Sequence, residues 1–216
     1  MIDITNLVTS IDLSKLQFDY NSKVILSYFF ISLIAWFLNT ITRGTTNKLL
    51  FSSYRSSPFN PLTYIRMFTH TIGHLNWNHL INNFLIILLI GPMIEEKYGS
   101  INLLIMFLIT AFVTALYNII FKNYNICGAS DNVYMLIMLS SFSNITEGKI
   151  PLTIVLIGLF YVTKEIKDSI FEGNKKVSHI SHILGAVCGL LFGFYFLTHT
   201  GFPIKKKDIN LYLFLL

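Results

Sequence analysis

Residues 77–94 have the sequence WNHLINNFLIILLIGPMI, a mostly apolar run close to the length that spans a membrane. A spanning helix requires about 20 mostly apolar residues, because the hydrocarbon core of a bilayer is about 30 Å thick. His79 and Asn83 interrupt this run, and their spacing places both on one face of a helix. Polar side chains inside a membrane are costly and are therefore candidates for function. The alternative is that the pair only forms hydrogen bonds to neighbouring helices.

The composition of the whole chain supports a membrane protein. Of its 216 residues, 53% are hydrophobic and 12% are charged, whereas about 25% are charged in soluble proteins. The sequence therefore predicts an all-α membrane protein with six transmembrane helices. The six predicted spans are residues 23–41, 77–94, 101–121, 129–142, 150–162 and 182–198.

The lengths of these segments predict how the chain is organised. The fourth segment is too short to cross a bilayer as a straight helix. Residues 43–69 are polar and contain two prolines, so they predict a long connection between the first and second spans. We expect an N-terminal tail, a transmembrane domain and a basic C-terminal tail. These are residues 1–22, 23–200 and 201–216, respectively.

The net charge of +5 does not indicate nucleic-acid binding. The basic residues are scattered through the connections, apart from three consecutive lysines at 205–207. A basic cluster beyond a membrane span is typical of contact with anionic lipids or of a topology signal. Cys127 and Cys188 lie in or beside apolar segments, so we expect buried thiols and no disulfide framework.

Gly128, Ala129 and Ser130 open the short fourth segment. A backbone N–H in the first turn of a helix has no partner within the helix, so it is available to a group bound at Ser130. Tyr134 lies one turn further along, on the same face. The alternative is an ordinary helix cap, since serine is a favoured N-cap residue.

His182 opens the sixth segment, and Gly185, Gly189 and Gly193 follow it as a stripe of small residues. Such a stripe allows a neighbouring helix to approach closely. His182 could then reach a serine on that helix, whereas the alternative is a histidine at the membrane surface above a packing motif. His179, one turn earlier, is a rival for the same position.

These polar groups together predict a catalytic site. A serine alone is a poor nucleophile and requires an adjacent base. His182 could supply that base to Ser130. His79, Asn83 and the Ser130 N–H could stabilise an oxyanion. We find no acidic third member on the same elements, so the site would be a Ser–His dyad.

Five short motifs occur in an order that resembles the rhomboid family of intramembrane serine proteases. The similarity extends from about Arg66 to Gly193, which is most of the chain. They are RMFTH at 66–70 with His74, HLINN at 79–83, Gly91 with Glu95 and Gly99, GAS at 128–130, and HILG at 182–185 with Gly189.

The resemblance implies a six-helix bundle with a water-filled cavity, a long loop between helices 1 and 2, and a short helix 4. It implies Ser130 as nucleophile, His182 as general base, and His79 with Asn83 at the oxyanion. It requires no metal and no cofactor. Its substrates would be single-span membrane proteins within the lipid bilayer.

The resemblance also implies supporting roles for further residues. Tyr134 would stack on the base, and His74 would hydrogen-bond loop backbone near the site. Arg66 and Glu95 would brace the long loop against the bundle. The family's glycines match Gly128, Gly185 and Gly189.

Asp131 departs from the family pattern, which has glycine after the serine. An ionised carboxylate beside the oxyanion site would oppose the developing negative charge. Asp131 lies about 100° around the helix from Ser130, so it could instead face the aqueous cavity or carry a proton.

Two other functions therefore stay open beside the protease. The first is a catalytically inactive rhomboid-like protein that binds transmembrane clients, which Asp131 supports. The second is a channel or transporter in which the histidines relay protons. A zinc protease is disfavoured, because the sequence has no H-E-x-x-H motif.

Overall fold

The computed structural model describes residues 19–122, 124–142, 152–171 and 179–199. These residues form α-helices, one π-helical turn and no β-strand. The predicted C-terminal tail and residues 1–18 of the predicted N-terminal tail lie outside the described residues. The helices are α1 (Lys23–Ile41), α2 (Thr45–Leu50), α3 (Pro61–Thr69), α4 (Trp77–Tyr98), α5 (Ser100–Tyr117), α6 (Ser130–Ser140), α7 (Leu152–Phe171) and α8 (His179–His199), and the π-helical turn Asn118–Lys122 extends α5.

Within the described part of the chain, four helices are long and apolar enough to cross a membrane. They are α1, α4, α5 with its π-helical turn, and α8. They coincide with the first, second, third and sixth predicted spans. The last of these begins one turn before the predicted start, at His179.

The fourth and fifth predicted spans also form helices, but these are not among the four that are long and apolar enough to cross a membrane. The fourth is α6, a helix of 11 residues of which eight are buried. The fifth is α7, which has 20 residues and continues nine residues beyond its predicted end at 162. The extension carries lysines at 164 and 167 that are exposed. Charged residues ended the apolar pattern in the sequence, but they do not end the helix.

The short helix α6 is enclosed by other helices. It packs against α4, α5, α7 and α8. The glycine stripe of α8 faces it: a Cβ added at Gly185 would overlap the backbone of Asp131, and one added at Gly189 would overlap the backbone of Met135. The predicted close approach of a neighbouring helix is therefore present, and α6 is that neighbour.

Glu95 joins α4 to the beginning of α1. Its carboxylate accepts hydrogen bonds from the backbone N–H groups of Val24 (2.9 Å) and Ile25 (3.1 Å) and from the Ser22 hydroxyl. A carboxylate at a helix N-terminus satisfies N–H groups that have no partner within the helix. The prediction that Glu95 braces the long connection against the bundle is wrong. Glu95 is near the C-terminal end of α4, whereas the connection between α1 and α4 lies at the other end of both helices.

Arg66 also differs from its predicted role. Its guanidinium group donates to the Ser56 hydroxyl (2.7 Å) and lies 4.3 Å from the centre of the Tyr54 ring. It therefore joins two parts of the connection to each other. Arg55 links the connection to the bundle, because it donates to the carbonyl oxygens of Ile119 and Ile120, both at 2.6 Å.

We expect the substitution Gly189→Leu to destabilise the protein by about 1–3 kcal/mol or more, because the added side chain would force α8 away from α6. Thermal unfolding of the purified protein in detergent measures this. Val187→Leu is the matched control, since Val187 is on the exposed side of α8. An equal melting temperature for the two variants would contradict the close packing of α6 and α8.

Candidate active site

The hydroxyl of Ser130 is hydrogen-bonded to the imidazole of His182, with 2.8 Å between Oγ and Nε2. Ser130 is the first residue of α6, and the N-cap position is occupied by Ala129. Ser130 therefore does not occupy the capping position that the alternative interpretation required. His182 lies one turn into α8, where the glycine stripe allows α8 to approach α6. Serine and histidine thus meet one turn before Gly185, where α8 approaches the backbone of α6.

Aromatic stacking fixes the orientation of the His182 ring. Tyr134 lies parallel to it, with 4.7 Å between ring centres and 12° between planes. Tyr161 of α7 packs edge-on against Tyr134 at 5.6 Å. His179 approaches the His182 ring edge-on at 6.5 Å. Tyr134 is where the sequence placed it, while Tyr161 was not predicted because one tyrosine in an apolar helix gives no signal.

His79 and Asn83 lie against the turn that precedes Ser130. Gly128 in this turn has φ of +131°, a conformation that side chains disfavour. A Cβ at this position would lie 2.7 Å from Nε2 of His79 and 3.6 Å from Nδ2 of Asn83. Gly128 is therefore required both for the backbone conformation and for the space that the two polar side chains occupy.

His74 links Asn83 to the same turn. Its Nδ1 lies 3.1 Å from the carbonyl oxygen of Ile72, which can only accept, so Nδ1 carries the proton. Its Nε2 accepts hydrogen bonds from the Asn83 amide (3.1 Å) and from the N–H of Ala129 (3.3 Å). Burial, with a smaller contribution from His79, lowers the pKa of His74 to about 3. A neutral ring suits a nitrogen that accepts two N–H groups.

The connection between α1 and α4 holds the rest of this turn. Ser53 and Ile126 exchange two backbone hydrogen bonds of 2.9 and 3.0 Å, and the N–H of Gly128 donates to the carbonyl of His70 at 2.9 Å. The sequence did not indicate that Ser53 and His70 would hold this turn through their backbone groups. Backbone contacts between distant segments leave no pattern of residue types.

Asp131 does not face an aqueous cavity, so that expectation is wrong. Its side chain is buried, and its Oδ2 lies 3.6 Å from Nε2 of His70. The helical rotation between successive residues turns it away from the side of α6 that carries Ser130. His70 ends α3, so the contact joins α6 to the connection.

Comparison with known proteins identifies the family of this chain. The family model for the rhomboid domain matches residues 61–199. Rhomboid-like protein 11, chloroplastic, of Arabidopsis thaliana is 26% identical over 137 residues, which are 57% of this chain and 49% of that protein. Rhomboid protease GluP of Bacillus subtilis is 28% identical over 119 residues, 53% of this chain and 24% of that protein.

A third relative is matched over a larger share of its length. Rhomboid protease GlpG of Haemophilus influenzae is 24% identical over 137 residues, 60% of this chain and 68% of that protein. The chain thus spans about half of the plant relative and about a quarter of the Bacillus protein. The family model covers well over half of this chain and all of the polar residues around Ser130. The chain is therefore an integral, multi-pass membrane protein that belongs to the rhomboid family.

Proposed function

We propose that this protein is an intramembrane serine endopeptidase that cleaves transmembrane segments with a dyad of Ser130 and His182. The hydrogen bond of 2.8 Å between their side chains supports this most directly. The proposal includes a six-helix bundle formed by residues 23–200, in which α6 and α7 are the fourth and fifth helices. Single-span membrane proteins are the proposed substrates.

In the proposed reaction, His182 removes the proton from the Ser130 hydroxyl as Oγ attacks a peptide carbonyl. The tetrahedral intermediate collapses to an acyl-enzyme, and His182 passes the proton to the departing amine. Water then attacks the ester, again with His182 as base. The bond between the acyl carbon and Oγ breaks, His182 returns the proton to Oγ, and the carboxylic acid product leaves. The stacked ring of Tyr134 keeps Nε2 directed at Ser130 throughout, which reduces the freedom that the imidazole must lose on reaction.

The proposal assigns stabilisation of the oxyanion to three donors, which are the Ser130 N–H, Asn83 and His79. The Ser130 N–H is in the first turn of α6, where the helix dipole also favours negative charge. The Asn83 amide has two N–H bonds, of which His74 accepts one. The Nδ2 atom of Asn83 and the ring of His79 both lie against Gly128, in the turn beside Ser130. His74 therefore serves the site indirectly, by fixing Asn83 and Ala129.

An inactive client-binding protein is the second candidate function. Asp131 favours it, because the family resemblance places a glycine there. The contact of its carboxylate with His70, away from Ser130, favours the protease instead.

Labelling by a fluorophosphonate probe in detergent tests the dyad. We expect the wild-type protein to be labelled, and Ser130→Ala and His182→Ala to lose labelling, because the probe reacts only with an activated serine. Ser140→Ala, at the other end of α6, and His199→Ala, at the other end of α8, are matched controls that should label normally. A folded wild-type protein that neither labels nor cleaves any of a panel of membrane substrates would refute the protease.

The substitution Asn83→Ala should lower kcat by about 10²–10³-fold with little change in KM, as expected when one oxyanion donor is lost. Asn82→Ala is the control, because Asn82 is the adjacent residue and its side chain is exposed. Steady-state cleavage of a single-span substrate gives both constants. If the two variants have the same kcat, Asn83 does not stabilise the transition state.

The depressed pKa of His74 predicts that acid destabilises the protein. The unfolded chain, with a histidine pKa of about 6.5, binds this proton, whereas the folded protein does so only near pH 3. Stability is therefore lost as the pH falls from 6.5 towards 3, by about 2 kcal/mol at pH 5 from this residue. The fall in melting temperature between pH 7.5 and pH 5 should be larger for the wild type than for His74→Gln. Equal falls would show that His74 does not resist protonation.

A further inference from the structure

The contact between Asp131 and His70 brings two ionisable side chains together next to Ser130. Their exposed fractions are 5% and 1%, and Oδ2 lies 3.6 Å from Nε2. Asp131 directly follows Ser130, and the carbonyl of His70 accepts the N–H of Gly128, two residues before Ser130. The pair is therefore connected to the chain both before and after Ser130.

The hydrogen bonding of His70 determines what its Nε2 presents to Asp131. Nδ1 lies 3.2 Å from the carbonyl oxygen of Arg66. A carbonyl only accepts, so Nδ1 carries a proton. In a neutral imidazole, Nε2 would then be a bare lone pair facing a carboxylate. Two acceptors buried against each other are unfavourable, and Nε2 has no hydrogen-bond partner among the described residues.

One added proton removes this conflict. It converts the pair either to imidazolium and carboxylate or to imidazole and carboxylic acid, and both forms have no net charge. Among the described residues, Asp131 also interacts electrostatically with the phenol of Tyr28 and the thiol of Cys188. Neither can supply a positive charge to balance a lone carboxylate. His70 is therefore the group able to neutralise Asp131.

We propose that Asp131 and His70 share one proton as a net-neutral pair that positions the turn carrying Ser130. This inference rests on the proposed protease function. Asp131 is then a positioning residue that ties α6 to the end of α3. The pair also keeps a negative charge away from the oxyanion, so the departure from glycine is compatible with catalysis.

A double-substitution cycle tests the pair in the full-length protein. The variants are His70→Phe, Asp131→Ala and the combination of both. We expect His70→Phe alone to reduce the rate of fluorophosphonate labelling and kcat at least tenfold, because it leaves the carboxylate buried without its partner. In the presence of Asp131→Ala, the same change should reduce both rates less than threefold, with KM unchanged.

Conservative variants distinguish a shared proton from a role of the two side chains in packing alone. Asp131→Asn should keep the labelling rate within about threefold, because its amide can donate to Nε2. His70→Gln should retain more activity than His70→Phe, because its amide can donate to Oδ2. A role in packing alone would instead favour phenylalanine, which keeps the planar ring of histidine.

The outcomes distinguish the pair from the protease itself. Equal losses from His70→Phe with and without Asp131→Ala would overturn the pair and leave the protease intact. If His70→Phe alone does not fold, folding and labelling of the combined variant support the pair, and failure of the combined variant overturns it. Absence of labelling from folded wild-type protein and from Asp131→Ala would overturn the proposed function, and the positioning role with it.

Discussion

The enclosure of α6 is the constraint on which the rest of the structure depends. This helix is too short to cross a bilayer, so its polar ends must be satisfied by protein or by a water-filled cavity rather than exposed to lipid. The turn before it presents N–H groups that would each cost several kcal/mol in hydrocarbon without a partner. Their acceptors are the carbonyls of Ser53 and His70 and the ring of His74. The same enclosure brings the first turn of α6 against α8, where Ser130 is hydrogen-bonded to His182.

The connection between α1 and α4 is consequently part of the site rather than a linker. It supplies all three of those acceptors, and it is itself held by the side chains of Arg55 and Arg66. A further chain of hydrogen bonds runs from the amide of Asn132 on α6 to the hydroxyl of Tyr28 on α1, and from that hydroxyl to the carbonyl of Thr71. The position of Ser130 therefore depends on residues distant from it in sequence.

The sequence predicted those features that a single helix encodes. Apolar length predicted six spans, and four of them coincide with helices long and apolar enough to cross a membrane. The spacing of His79 and Asn83 predicted a shared face, and the glycine stripe predicted a close helix contact. It did not predict contacts between segments, such as Glu95 with the start of α1 or Asp131 with His70. Such contacts are set by how helices pack, and no periodicity of residue types records them. The end of α7 was misplaced for a related reason, since charge limits an apolar pattern but not a helix.

His70 and His74 show why residue type alone does not determine a role. They are one turn apart in sequence, both are buried, and both use Nδ1 to donate to a carbonyl two or four residues earlier. Their Nε2 atoms differ in whether they face hydrogen-bond donors or an acceptor. That of His74 meets two N–H donors, which favour the neutral ring, whereas that of His70 meets a carboxylate, which favours a proton between them. Asp131 therefore has to be interpreted together with His70. Beside a ring that already accepts two N–H groups, as His74 does, the carboxylate would be a buried charge without a partner. Beside His70 it is half of a neutral pair.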